Sequence, residues 1–126
     1  MGTEKVESTH PEIPGKITVE PGVLETIARL TAQKVPGVAR IAQKTDVERF
    51  LGIGRKSVEV WVDERRVSVD LHLLAEPGVS LLRLGRTVQR EVTQAIQQMI
   101  GMPVDAVNVY FEDVLFPTSE EEQPEA

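Results

Sequence analysis

Apolar and polar residues alternate along this chain with two different periods, and the points where the period changes divide it into elements. In "SVEVWVDERRVSVDLHLL", Val58, Val60 and Val62 alternate with Glu59, Trp61 and Asp63, and Val67, Val69, Leu71 and Leu73 alternate with Ser68, Asp70, His72 and Leu74. A period of two with one apolar face predicts two half-buried strands joined as a hairpin. With Glu64-Arg65 as a two-residue loop, Val62 faces Val67, Val60 faces Val69 and Val58 faces Leu71. All three pairs then lie on one face, as a buried face requires. Glu-Arg lacks the Asn and Gly that tight primed turns favour, which leaves a longer loop open.

Helical periods stand on either side of the hairpin. Val23, Leu24, Ile27, Ala28 and Leu30 recur at helical spacing. Their helix starts at Pro21, whose missing N–H would have no partner there, and runs to about Lys34, before Pro36-Gly37. From about Val79 to Ile100 a longer amphipathic helix carries Leu81, Leu84, Val88, Val92, Ala95, Ile96 and Met99 on its apolar stripe, with Arg83, Arg86 and Arg90 off it. Gly85 inside it costs about 1 kcal/mol relative to Ala, which close packing against a sheet would explain. Gly15–Val19 and Val38–Ala42 read as short strands. "AVNVYFEDV" reads as a final strand with Val107, Val109 and Phe111 on one face and Asn108, Tyr110 and Glu112 on the other. Residues 43–56 are ambiguous: a short helical turn around Val47–Leu51, then a loop. The order β-α-β-β-β-α-β predicts an α/β (α+β) two-layer sandwich, two helices packed on one face of a mixed four- to five-stranded sheet.

Charge changes the picture at the ends. Of a net charge of −6, residues 112–126 carry six acids and no base, and residues 1–14 carry three acids and one base, so the middle is slightly basic. Acidic stretches with Pro and Ser predict disordered tails over residues 1–14 and 115–126, flanking one domain over 15–114. No apolar run approaches a membrane span, the N-terminus is polar, and "MGTEKV" has Val6 where a myristoylation signal needs Ser or Thr. The absence of cysteine removes disulfide and thiol chemistry and fits a cytoplasmic protein.

"GKITVEPGVLETIARLTAQKVPGVARI" resembles the opening signature of the alkaline-shock-protein (Gls-type) envelope stress response family of bacteria: a Gly-Lys-Ile strand, a Val-Leu-x-x-Ile-Ala helix, then a Val-x-Gly-Val turn. "VSVDLHLLAEPGV" and "VQREVTQAIQQMIGMPVDAVNVYFEDV" are similar to its second half, so the resemblance spans about residues 15–114. The chain departs from the family at Glu76-Pro77-Gly78, where an aromatic-Gly pair is common, and in a middle loop poorer in glycine. The resemblance implies a non-enzymatic cytoplasmic protein. It would act by self-association, possible as a homo-oligomer, or by docking to an envelope-linked or lipid-metabolic partner. It would meet the inner face of the membrane only indirectly, through an anchor protein.

Candidate chemistry is sparse. No cofactor motif occurs: "GIGRK" (Gly52–Lys56) matches neither the P-loop nor the Rossmann fingerprint and reads as a loop. "EPGV" occurs at Glu20–Val23 and at Glu76–Val79, before each helix. Helix starts attract anions, but here Pro removes a donor and Glu repels phosphate, so turn chemistry is the better reading. His10 lies in the tail. His72 faces outward beside Asp70 and is expected to be exposed; a general base there would need a nucleophile in hydrogen-bond reach. Glu59, Asp70 and His72 could share a face, but like charges so placed are more often solvated than metal-bound. No catalytic, cofactor or metal residues are assigned. The outward sheet face, with no helix visible in the sequence left to cover it, offers Trp61, His72 and Tyr110, with Leu74, as an amphipathic interaction patch. Arg83, Arg86 and Arg90 make a basic stripe on the second helix. That stripe supports the alternative of an RNA-associated regulatory module, which the carboxylates Glu59, Asp63, Asp70 and Glu112 on the sheet disfavour.

Overall fold

The chain is seen in a computed structural model that describes residues 5–9, 13–43, 46–54 and 56–116. The nine elements are β1 (Val6–Thr9), β2 (Lys16–Val19), α1 (Pro21–Lys34), β3 (Val38–Ile41), α2 (Asp46–Leu51), β4 (Val58–Asp63), β5 (Arg66–Ala75), α3 (Leu81–Met99) and β6 (Val104–Val114). The long strand β5 organises the main sheet. One of its edges takes β6 in parallel, and the other takes β4 and then β3, both antiparallel. The helices α1 and α3 pack against each other, α1 over β3 and β4, α3 over β6. This is the expected two-layer sandwich on a mixed four-stranded sheet.

The core is the apolar face that the alternation marks. Val58, Val60, Val62, Val67, Val69, Leu71 and Leu73 are buried beneath Leu24, Ile27 and Ala28 of α1 and Leu84, Val88, Val92 and Ile96 of α3. The hairpin register is Val62↔Val67, Val60↔Val69 and Val58↔Leu71, as the burial pattern requires. Its loop is the two-residue one, with Glu64 at φ +53° and Arg65 at φ +65°. Both sit in the left-handed region, where a side chain costs about 1–2 kcal/mol per residue. Replacing Glu64-Arg65 by Asn-Gly is therefore expected to stabilise the fold by about 1 kcal/mol, raising Tm by about 4–8 °C. Thermal denaturation followed by circular dichroism reads this directly, and an unchanged or lower Tm would mean that the turn carries no such strain.

Two expectations differ from the structure. The strand at Lys16–Val19 does not join the main sheet: it pairs antiparallel with Val6–Thr9 in a two-stranded ribbon, Val6↔Val19 to Thr9↔Lys16. Residues 6–9, read as part of a disordered tail, are thus a strand, because Val6 packs against the core and Lys16–Glu7 and Lys5–Glu20 ion pairs fasten the polar face. Residues 1–4 and 10–12 of that tail, with His10, and the acidic stretch from residue 117 onward lie outside the described residues.

The two EPGV copies, both before a helix, fold differently. At the first, Pro21 opens α1 directly and Gly22 is helical. At the second, Gly78 takes φ +85° in a turn, and α3 begins later, at Leu81, where Ser80 caps it by accepting from the Arg83 N–H at 3.3 Å. "VPGV" is a third case: Val38 N–H donates to Val35 C=O at 3.1 Å across Pro36-Gly37, with Gly37 at φ +104°, the pattern of a type II turn.

Candidate functional site

On the outward face of the sheet the residues fall in rows across the strands. Trp61 on β4 stands opposite Ser68 and is half-buried. The next row is Glu59, Asp70 and Asn108, where Asn108 Nδ2 donates to Asp70 Oδ1 at 2.9 Å. His72 and Tyr110 form the row after that, their rings stacked 4.7 Å apart at 13°. Trp61 is thus separated from His72 and Tyr110 by a polar row and by about 13 Å along β5. The expected continuous patch of Trp61, His72, Leu74 and Tyr110 is two separate places.

His72 itself is buried, at 4% exposure, although it faces outward. The reason is tertiary. Residue 72 lies where the partner on that edge of β5 changes from β4 to β3: His72 N–H donates to Ser57 C=O at 2.8 Å, and His72 C=O accepts from Ala42 N–H at 2.9 Å. Ser57 Oγ–H closes the joint by donating to Ala42 C=O. The α2 segment and the loop after it stand over this joint, so Gln43, Glu48 and Gly54 share a cavity of about 260 Å³ with Ala42, Ser57, His72 and Glu112.

Glu112 reaches the site through a β-bulge. Leu73 pairs with Phe111 but Leu74 pairs with Asp113, so Glu112 is the extra residue on β6. Such bulges re-aim side chains, and here the carboxylate Oε2 lies 2.6 Å from His72 Nδ1. A carboxylate only accepts, so Nδ1–H donates to Glu112, and in the neutral ring Nε2 is the acceptor nitrogen. The sequence reading missed Glu112 and Ser57 as site residues. Nothing in the local sequence at either residue signals the bulge or the joint.

A second surface lies between α3 and β6. Arg83, Arg86 and Arg90 are exposed along one side of α3, with Arg90 Nε 4.0 Å from Glu91. Arg86 lines a groove of about 450 Å³ with Leu81, Leu82, Gly85, Gln89, Val109 and Phe111. Gly85 faces the Phe111 ring, and a Cβ there would meet it at 3.5 Å, an ordinary contact. Close packing therefore does not account for this glycine. Among the described residues β6 pairs only with β5, so its other edge is open, apart from Gln89 Nε2, which donates to Val107 C=O at 3.1 Å. Leu82 in the groove is 70% exposed, and Tyr110 on β6 and Leu115 and Phe116 just after it are substantially exposed.

The remaining candidates hold less. No group of three His, Cys, Asp or Glu side chains among the described residues is placed to bind a metal. Gly52 and Gly54 take positive φ in a loop that opens no helix, so phosphate-loop geometry is missing there. No helix among the described residues is long and apolar enough to cross a membrane.

A mixed four-stranded sheet under two helices, with an open edge strand and a small polar pocket on its far face, defines a small α+β domain. The chain belongs to the alkaline shock protein 23 family, described as having a cell envelope-related function, whose profile matches residues 9–116. It is 28% identical over 120 residues to the uncharacterized protein YqhY of Bacillus subtilis (strain 168), covering 92% of this chain and 87% of that one. It is 26% identical over 103 residues to the uncharacterized protein Spy1535 of Streptococcus pyogenes serotype M6, covering 80% of each. Among solved structures, a zinc form of the MamM CTD aligns with TM-score 0.48 at 11% identity, over 78% of this chain and 90% of that one. A manganese form aligns with TM-score 0.46 at 12% identity, over 73% and 96%. Likenesses at that level bear on neither ligand nor function.

Proposed function

We propose that this protein is a non-catalytic docking and self-assembly protein of the cell envelope, working in the cytoplasm by surface contact. The observation that carries the reading is the open edge of β6 beside the apolar groove of α3. A long unpaired edge is a template for another strand, and a second copy related by a two-fold axis would close both edges at once. An envelope-linked or lipid-metabolic partner would use the same edge by strand addition, and an anchor protein would then supply any attachment to the membrane.

The test is light scattering after size exclusion. Wild type is expected to self-associate at tens of micromolar, and Leu82→Glu to weaken that association about 10–100-fold, the loss of one buried leucine. Trp61→Ala, away from the edge, should leave it intact. A wild type that stays monomeric at the highest soluble concentration and retains nothing from its host's lysate would end this reading.

The exposed arginine face of α3 favours one second reading, an RNA-associated regulatory module. It predicts salt-sensitive binding of mixed RNA that Arg86→Ala with Arg90→Ala abolishes. The stacked His72–Tyr110 pair and the half-buried Trp61 leave few free rings for bases, which weighs against it.

A further inference from the structure

We propose that the cavity at the β3–β4 joint is a binding site for an organic cation, an ammonium or guanidinium group received by His72 Nε2 and Glu112. No buried side-chain nitrogen or oxygen among the described residues lacks a hydrogen-bond partner. Among the described residues the His72 ring makes one hydrogen bond, from Nδ1 to Glu112. No described residue partners Nε2, which is unsealed on a side chain more than nine-tenths buried, and the His72 side chain lines the cavity.

Glu112 fixes what that nitrogen can do. Accepting from Nδ1–H, it leaves Nε2 of the neutral ring as a hydrogen-bond acceptor, on a ring that also stacks against Tyr110. The wall adds a second carboxylate, Glu48, which also has a partner of its own. None of the described lining residues is Lys or Arg. An acceptor nitrogen with carboxylates around it selects a ligand that donates hydrogen bonds and carries positive charge. Anions meet repulsion there.

Two other chemistries fit less well. A metal ion would need a third ligand in range, and no such group is placed there among the described residues. Nucleophilic catalysis would need a hydroxyl directed at His72, but Ser57 directs its hydroxyl to Ala42 C=O. At about 260 Å³ the cavity falls just below the roughly 300–1,000 Å³ of drug-sized pockets. That size suits one cationic head group, either on a free amine or on a partner's Lys or Arg side chain.

The chain has two histidines, so the ring signals of His72 and His10 are easily separated in proton–carbon NMR spectra of the full-length protein. The probes are n-butylammonium, n-butylguanidinium, neutral n-butanol, and the capped peptides Gly-Lys-Gly and Gly-Arg-Gly, all with EDTA present to exclude metals. The cations are expected to shift the His72 ring signals saturably while n-butanol and the His10 signals stay still. Because His72 is buried, the variant is the half-exposed Glu112→Gln, expected to weaken binding about tenfold with the backbone amide spectrum otherwise unchanged. Peptides binding more tightly than free cations would identify a partner's side chain as the source. Equal affinity would identify a free amine. The site is overturned if neither cation gives a saturable shift, if n-butanol acts equally, or if Glu112→Gln binds as wild type does. Leu82→Glu should keep the full cation response, which separates this site from the β6 edge.

Discussion

Leu71→Ala is expected to destabilise the fold by about 2–5 kcal/mol, a large share of the 5–15 kcal/mol that holds a typical domain together. Leu71 is fully buried at the middle of β5, between Val58 on one neighbouring strand and Val109 on the other. Truncation there removes apolar contact and leaves a cavity that two flanking strands and the helices above cannot readily fill. Urea denaturation of wild type and variant measures the loss as a shift in midpoint at constant slope. A loss under about 1 kcal/mol would mean that the sheet relaxes around the gap far more than a close-packed interior normally does.

The second large effect is graded over three glycines in similar words of sequence. Gly37→Ala is expected to destabilise by about 2–4 kcal/mol, combining left-handed strain with overpacking. Its φ is +104°, and a Cβ would meet buried Leu84 Cδ1 at 3.1 Å. Gly37 C=O also accepts from Glu76 N–H at 2.8 Å, so the turn cannot move freely. Gly78→Ala meets nothing within 4 Å but keeps a φ of +85°, so it should lose only the strain of about 1–2 kcal/mol. Gly22→Ala, helical and open, should gain up to about 1 kcal/mol. The order of the three midpoints is the check. If Gly22→Ala and Gly78→Ala moved together, the two EPGV copies would be the same structure, contrary to their backbone angles.

Sequence and structure agree most closely where a short-range pattern had one physical solution. The alternation at Val58–Leu73 could bury one face only in the observed register, and α1 stops before Pro36 because a residue preceding proline avoids the helical region. The two-residue turn at Glu64-Arg65 went against local turn chemistry. The six-pair ladder of β4 with β5 outweighs a cost of a few kcal/mol at its end.

The candidate site was less legible. His72 was visible as an outward residue, Tyr110 as another, and Arg83, Arg86 and Arg90 as one side of a helix. Alternation reports which face a side chain takes. It does not report what stands over that face, and α2 was legible only as an ambiguous turn in residues 43–56.

By itself the sequence determined seven of the nine elements (all but β1 and α2), the hairpin register, the centre of the core face of both long helices, whose expected stripes also held the exposed Val23, Leu30, Leu81 and Met99, and the family signature. Each rests on contacts or repeats within a few residues of one another. The tertiary structure alone decided that β3 and β4 would share one edge of β5 and that a bulge would turn Glu112 toward His72. It alone also decided that residues 6–9 would pair with Lys16–Val19 and that, among the described residues, β6 would pair only with β5. These depend on pairing partners distant along the chain. The same alternation suits several strand orders, and the choice among them is made by how the helices and loops pack as a whole.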